Sequence, residues 1–409
     1  MSAEGKPWTQ PMPDDQFEFM RDILAAPSPV GLEAAMNEGV LAPWFQKLNP
    51  DWKIHRYQGN AGIVVDTHPG RDDLLSVMFV GHADKIRLMV RSIGDDGKIW
   101  IESDSFLPGT LLGHQVVLFS EDPKNAGNWR ALRGGTVEAV GAIHFADAAT
   151  RAGDRGIRPN MLYVELGIHG ASKKDQVESL GIRPGDPIIL DRPIRRAFAP
   201  NTFYGAYLDN GLGCFCAAEV ARLVHNAGGF DNVRCLFAFA AYEEIGRLGS
   251  RVFALDFKPN VLIGLDVNHD YVAAPGIGDR RMTPLAMGEG FTLTTGAITS
   301  ASLNSLIQQV AREHGIPFQL SPSGRDTGTD AMAAVFASVD SAATSIGFPI
   351  RNMHTISELG HTSDVLAAAH AMFRLAARLN TDNTPADYFK QNHPRLDASA
   401  PITHGATQR

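Results

Sequence analysis

Apolar residues recur at helical spacing through FEFMRDILAAPSPVGLEAAMNEGVLAPWFQKL, interrupted by the turn-forming PSPVG, and predict two helices around a short loop. NAGIVVDT reads as a strand. LLSVMFVGHAD follows as a continuous apolar run ending in polar residues, which suits a buried central strand whose C-terminal end opens at a site. From about Val90 to Arg195 the pattern changes. SIGDDGKIWIES, LLGHQVVLFS, GTVEAVGAIHF and GDPIILDR read as short strands separated by Gly, Pro and Asp, with little helix apart from a turn or two near KKDQVESLG. This predicts a smaller β-rich domain inserted into a larger one. Beyond it, strand and helix alternate: NGLGCFCAAEVARLVHN as helix, VRCLFAFAAY and VLIGLDV as strands, SLNSLIQQVAREHG as helix, AATSIGFPI as strand and SDVLAAAHAMFRLAARL as a long final helix. Such alternation implies an α/β fold, a mixed and mostly parallel sheet flanked by helices. The resulting divisions are residues 1–89 and 197–384 for the two parts of the larger domain, 90–196 for the insert and 385–409 for a polar C-terminal tail. No internal repeat is visible.

Composition narrows the classes. Hydrophobic residues make up 44% and charged residues 20% of the 409, ordinary globular usage for a chain long enough to exceed one core. A net charge of -8 and the lack of any Lys/Arg concentration beyond the pair Arg195 and Arg196 argue against nucleic acid as a partner. The polar, acidic start and the lack of a membrane-spanning apolar stretch argue against export and against a membrane, so a cytoplasmic location is expected. Cys214, Cys216 and Cys235 lie in apolar or alanine-rich contexts and read as buried, reduced thiols.

The chemistry sits where strands end. His82 and Asp84 follow LLSVMFVG, Asp209 precedes a helix in YLDNGLG, Glu243 and Glu244 follow CLFAFAAY, Asp266 closes VLIGLD, and His354 follows IGFP. Taken singly, each has an ordinary explanation: Asp209 as a helix cap, His82 with Asp84 as a hydrogen-bonded pair on a turn. Adjacent Glu243 and Glu244 repel one another unless a cation is close. A metal cluster accounts for all of them together, because ionised groups at apolar strand ends are expensive to desolvate unless paired or metal-bound.

The ordered segments GHADKIRLMV, YLDNGLGC, AAYEEIGRLGS, VLIGLDV, GTDA (Gly328 to Ala331) and IGFPIRNMHT resemble the motifs of the glutamyl-aminopeptidase and tetrahedral aminopeptidase family of two-metal peptidases. The resemblance runs through nearly the whole chain, including LYVELGIHGASKKDQVESLGIRPGDPIIL in the insert. It implies a zinc-exopeptidase-like sheet and two divalent ions, zinc, manganese or cobalt. Asp209 would bridge them, with His82 and Asp266 completing one site and Glu244 and His354 the other. It also implies Glu243 as general base, Asp84 as the partner orienting His82, a cis bond between Asp209 and Asn210, and a homo-oligomer assembled through the insert.

Three departures from the family pattern stand near these motifs. Lys85 replaces an acidic residue after the HxD pair, Gly211 and Leu212 replace the residues after LDN, and Glu165 with Leu166 precedes Gly167 in the insert. A changed charge beside the site would change the substrate. Arg325, Tyr207 and His269 are the candidate substrate contacts, with Tyr204 and Tyr271 beside them. The leading expectation is an aminopeptidase acting on short peptides. The alternative is an aminohydrolase cleaving the C–N bond of a small aromatic amine, as nitroanthranilate aminohydrolase does on a similar fold, and a non-catalytic binding protein comes third.

Overall fold

The structure is a computed structural model that describes residues 5–103, 105–274 and 282–393. Residues 394–409, most of the expected tail, lie outside the described residues.

The strands in chain order are β1 (Lys53–Arg56), β2 (Gly62–Asp66), β3 (Leu75–His82), β4 (Leu88–Ile93), β5 (Ile99–Ser103), β6 (Gln115–Asp122), β7 (Asn125–Glu138), β8 (Tyr163–Glu165) and β9 (Pro187–Leu190). They continue with β10 (Arg195–Arg196), β11 (Thr202–Gly205), β12 (Val233–Ala240), β13 (Val261–His269), β14 (Phe291–Thr295), β15 (Phe318–Pro322), β16 (Ala342–Ile350) and β17 (Glu358–His361). Eight of them form one sheet in the order β1-β2-β12-β3-β13-β16-β14-β15. Its centre, β12-β3-β13-β16, is parallel, and antiparallel pairs bring in β1, β2 and β14. Every residue of β3 and β12 is buried, as the unbroken apolar runs require of strands covered on both faces.

Between β3 and β10 the chain closes a separate barrel, β4-β5-β8-β7-β6-β9, around its own core of Val90, Ile99, Val116, Leu118, Val164 and Ile188. The insert expected from the sequence is this barrel. The sequence pattern did not reveal β7's first half, NAGNWRALRGG, whose side chains are mostly exposed. It also left out β14 and β15, which extend the main sheet beyond β16.

The helix Leu208–Asn226 packs on β3 and β13 with most of its length buried. Gly213 permits the approach: a Cβ there would lie 2.1 Å from the carbonyl oxygen of Leu265. The helix Thr362–Thr381 packs against it, and the helices Asp14–Ala25 and Ala42–Leu48 join the same core through Phe17, Met20 and Phe45. The start of the polar tail is packed rather than loose, since Tyr388–Gln391 forms a short helix with Phe389 buried in this core. Among the described residues no helix is long and apolar enough to cross a membrane.

Candidate metal centre and its cavity

Parallel register brings the strand ends to one level. His82 is the last residue of β3 and lies opposite Ala240 of β12, and Val80 lies opposite Gly264 of β13, which places Asp266 beside His82. The loop after β12 supplies Glu243 and Glu244, and His354 follows β16. Asp209 arrives from the other direction, ahead of its helix, through a cis bond to Asn210. The Asn210 amide donates to the Leu265 carbonyl (2.7 Å), and its Oδ1 accepts from Gly213 N (2.8 Å), which pins this start against β13.

The outcome is two donor triplets sharing one carboxylate. Ligand atoms of His82, Asp209 and Asp266 lie within 4.8 Å of one another, as do those of Asp209, Glu244 and His354. His82 Nε2 is 3.1 Å from Asp209 Oδ1 and 3.8 Å from Asp266 Oδ1, while His354 Nε2 is 3.1 Å from Asp209 Oδ2 and 4.0 Å from Glu244 Oε2. Glu243 Oε2 stands 3.7 Å from His82 Nε2. Glu244 Oε1 is buried without a hydrogen-bond partner, and Asp209 Oδ1 is buried against the His82 imidazole.

Electrostatics show a cluster short of positive charge. Burial pushes the Glu243 carboxyl up to about 8; His82 pulls it down, while Asp330, Asp209 and Asp84 add to the rise. Burial likewise raises Glu244 and Asp266 well above the usual carboxylate range, with Asp209 adding to both. Burial alone would lower His82, but Glu243, Asp209, Asp84 and Asp266 outweigh it and raise the imidazole well above its ordinary value. Burial would raise Asp209 too; hydrogen bonds with His354 and His82 hold it below the usual range instead. Too many carboxylates share too few cations, the condition that divalent ions relieve.

Two buried carboxylates fix the loops that carry this cluster. Asp84 accepts from the backbone N–H of Glu243 and of Glu244, both at 3.0 Å, so it holds the Glu-Glu turn in place. Its side chain is 3.5 Å from His82 Nδ1, which is closer, at 3.0 Å, to the Asp84 carbonyl oxygen. The imidazole therefore takes its orientation chiefly from the backbone of Asp84. Glu358, on β17, does for the other triplet what Asp84 does for the turn. It accepts from Leu208 N (2.6 Å), Asp209 N (3.4 Å) and His354 N (2.7 Å), tying the bridging aspartate to the histidine loop. Nothing in the sequence pattern singled out Glu358; its place four residues after His354 is the one signal available.

A cavity of about 420 Å³ opens onto the cluster. Of the expected substrate contacts, His269 lines it, with Tyr271 beside it, and burial lowers the His269 imidazole. Tyr207 and Arg325 are not among the residues that line it. Tyr207 is buried at the junction with the barrel, its hydroxyl accepting from Leu190 N (2.8 Å), and Arg325 is exposed outside the wall. Tyr204 is also outside the wall, beneath the Arg192 guanidinium.

The departures at Lys85 and Gly211 both face Leu24, at the end of the helix Asp14–Ala25, and neither lines this cavity. Lys85 is 1% exposed, and its amine donates to the carbonyls of Leu24 (2.8 Å) and Ala26, at the C-terminal end of the helix Asp14–Ala25. Burial pulls that amine down to about 7. A Cβ on Gly211 would sit 2.5 Å from Leu24 Cδ2, so the same helix end occupies the space a larger side chain would need. In the barrel, Glu165 accepts from Gly167 N (2.8 Å) and shapes a turn. The expectation that these positions surround the site is thus corrected for all three.

A parallel-centred sheet with an inserted barrel, and paired histidine and carboxylate donors at the strand ends, define a metallopeptidase. Residues 62–370 match the model of the M42 glutamyl aminopeptidase family, and the chain belongs to that family of aminopeptidases. It is similar to the lysyl aminopeptidase of Pyrococcus furiosus, with 27% identity over 373 residues, 91% of this chain and 99% of that protein. Among solved structures, the TET aminopeptidase of a marine-sediment Thaumarchaeota archaeon gives a TM-score of 0.79 at 22% identity, covering 92% of this chain and 99% of the other. The Pyrococcus horikoshii TET1 peptidase, described as able to assemble into a tetrahedron or a large octahedral shell, gives 0.70 at 19% identity, covering 88% and 99%.

Proposed function

We propose that the chain removes the N-terminal residue of short peptides, using two divalent ions held by His82, Asp209 and Asp266 and by Asp209, Glu244 and His354. The observation that carries this is the pair of triplets sharing Asp209, each within 4.8 Å. The donors suit the group: mixed imidazole nitrogen and carboxylate oxygen fits zinc, manganese or cobalt, and the buried, partnerless Glu244 Oε1 is an atom such an ion would satisfy. When bound, the ions supply polarisation of the scissile carbonyl and acidification of water. Glu243 moves the proton. Adjoining His82, its carboxylate takes the proton of the attacking water at Oε2 and returns it to the departing amine nitrogen.

The aminohydrolase alternative drew on Lys85 and Gly211, which face the helix Asp14–Ala25, and on Tyr204, Tyr207, Arg325, His269 and Tyr271, of which His269 and Tyr271 line the cavity. The peptide reading is therefore preferred. Assembly into a homo-oligomer through the barrel is supported by the TET relative's shells. A cytoplasmic setting accords with three buried cysteines that form no disulfide.

Turnover of aminoacyl nitroanilides and dipeptides, measured beside a panel of amino-substituted aromatic acids, tests the assignment. Peptide substrates should be cleaved, and chelation should abolish cleavage. Glu243→Gln should keep its metal and lose turnover, whereas Asp209→Ala should lose metal as well. Near-normal rates in Glu243→Gln would remove Glu243 as the base, and exclusive turnover of aromatic amines would reverse the preference.

A further inference from the structure

Beyond the donor cluster, hydroxyl groups share the cavity wall with Val267, His269, Tyr271, Pro322 and Met353: Thr294 from β14, Ser321 from β15, Ser345 from β16, and Ser323, Thr327 and Thr329 from the loop after β15. Asn268 reinforces it, donating to Ser321 Oγ at 3.2 Å. Asp326 lines the same wall. Its Oδ1 accepts from Arg247 (2.6 Å) and from Gly328 N (3.0 Å), and its side chain remains 42% exposed. Burial alone would raise this carboxyl, but the Arg247 and Gly328 bonds outweigh it and keep it below its ordinary value, hence ionised near neutrality. Arg247 approaches Asp326 from behind, its guanidinium over the Phe336 ring at 5.0 Å, and is not part of the wall. No lysine or arginine among the described residues lines the cavity.

Three kinds of side chain can be compared against this surface. An acidic one would meet Asp326, with no lysine or arginine among the described lining residues to receive it. An aliphatic one would strip water from hydroxyls that it cannot repay with hydrogen bonds, a cost typical of polar sites facing the wrong ligand. A basic one brings several N–H donors to the hydroxyl oxygens of the wall and to the partly exposed, ionised carboxylate of Asp326. We infer that the subsite for the N-terminal side chain accepts lysine or arginine, with Asp326 as its specificity-determining residue. This rests on the aminopeptidase reading.

The test uses metal-loaded enzyme and the nitroanilides of lysine, arginine, serine, leucine and glutamate. Lysine and arginine should exceed leucine in kcat/KM by about tenfold or more, the value of one charge-assisted hydrogen bond, with glutamate poorest. Asp326→Asn should erase about tenfold of the lysine-to-leucine ratio, chiefly through KM, with leucine turnover in the same variant reporting that the site is intact. A preference for leucine or glutamate in the unaltered enzyme overturns the inference while leaving aminopeptidase activity standing. So does an unchanged ratio in Asp326→Asn. Failure to cleave any of the five would instead overturn the activity assignment, and this inference with it.

Discussion

The amine of Lys85 donates to the carbonyl oxygen of Leu24 at 2.8 Å. With its second bond to Ala26, it satisfies carbonyls that the end of the helix Asp14–Ala25 leaves without a partner. Lys85→Met keeps the length and loses both bonds. The expected loss is about 1–3 kcal/mol of stability, the cost of leaving buried acceptors unsatisfied, with KM for peptide substrates little changed. Denaturant unfolding beside steady-state kinetics checks both halves; a large change in KM at unchanged stability would return Lys85 to the substrate site.

Why the sequence pointed elsewhere is a matter of alternation. Asp84 and Lys85 are neighbours in an extended stretch, where Lys85 forms a bridge with Pro29, and successive side chains of extended chain face opposite ways. Asp84 turns toward the Glu243–Glu244 loop and Lys85 toward Leu24. His82, Glu243, Glu244, Asp266 and His354 were legible because they end or follow strongly apolar runs, and a parallel sheet gathers such ends on one side, whereas Asp209 comes from the start of a helix. The barrel was legible from its short alternating strands. Glu358 was not, since its work consists of three backbone N–H bonds from segments up to 150 residues away, which leave no mark on local pattern.

Glu358→Gln tests that work. A glutamine offers one acceptor oxygen where the carboxylate offers two, and turns an N–H₂ toward the backbone donors of Leu208 or His354. Metal affinity should fall by about 10–100-fold, as it does when the partners behind metal ligands are lost, with secondary structure retained. Titration of the metal-stripped protein with Zn²⁺ or Mn²⁺, beside circular dichroism, reads this directly. Unchanged affinity would reduce Glu358 to a packing role.

A pH dependence of stability follows from Asp364, at the start of the helix Thr362–Thr381. Burial pushes its carboxyl up to about 7, against the lowering effect of N–H groups of Gly288 (2.7 Å) and Gly290 (2.8 Å). Between its ordinary value of 3.8 and about 7, the folded chain holds a proton that the unfolded chain has released. Its contribution is therefore full below the unfolded value and is lost as pH rises through about 7. Asp364→Asn removes that titration. From pH 5 to pH 8 the unaltered protein should lose stability relative to the variant by on the order of 1–3 kcal/mol, measured by urea unfolding at both pH values. Parallel curves would show that Asp364 stays ionised throughout.

Removing metal should expose the charge imbalance of the cluster itself. Glu243, Glu244 and Asp266 are raised by burial and by neighbouring carboxylates, so without cations they hold protons to higher pH than ordinary carboxyls, to about 8 in the case of Glu243. A raised carboxylate stabilises the fold while protonated and ceases to as pH climbs through its folded value, when the buried charges begin to repel. Bound cations replace those protons and should remove the dependence. Chelated protein should consequently melt earlier than loaded protein, by a margin that widens from pH 6 to pH 9. With free metal at 100 times its dissociation constant, the gain from binding alone is about 2.7 kcal/mol. Scanning calorimetry across that range, with and without chelator, reads the margin. Superimposable melting curves would mean that the five donors hold nothing, and that the carboxylates are balanced by some other means.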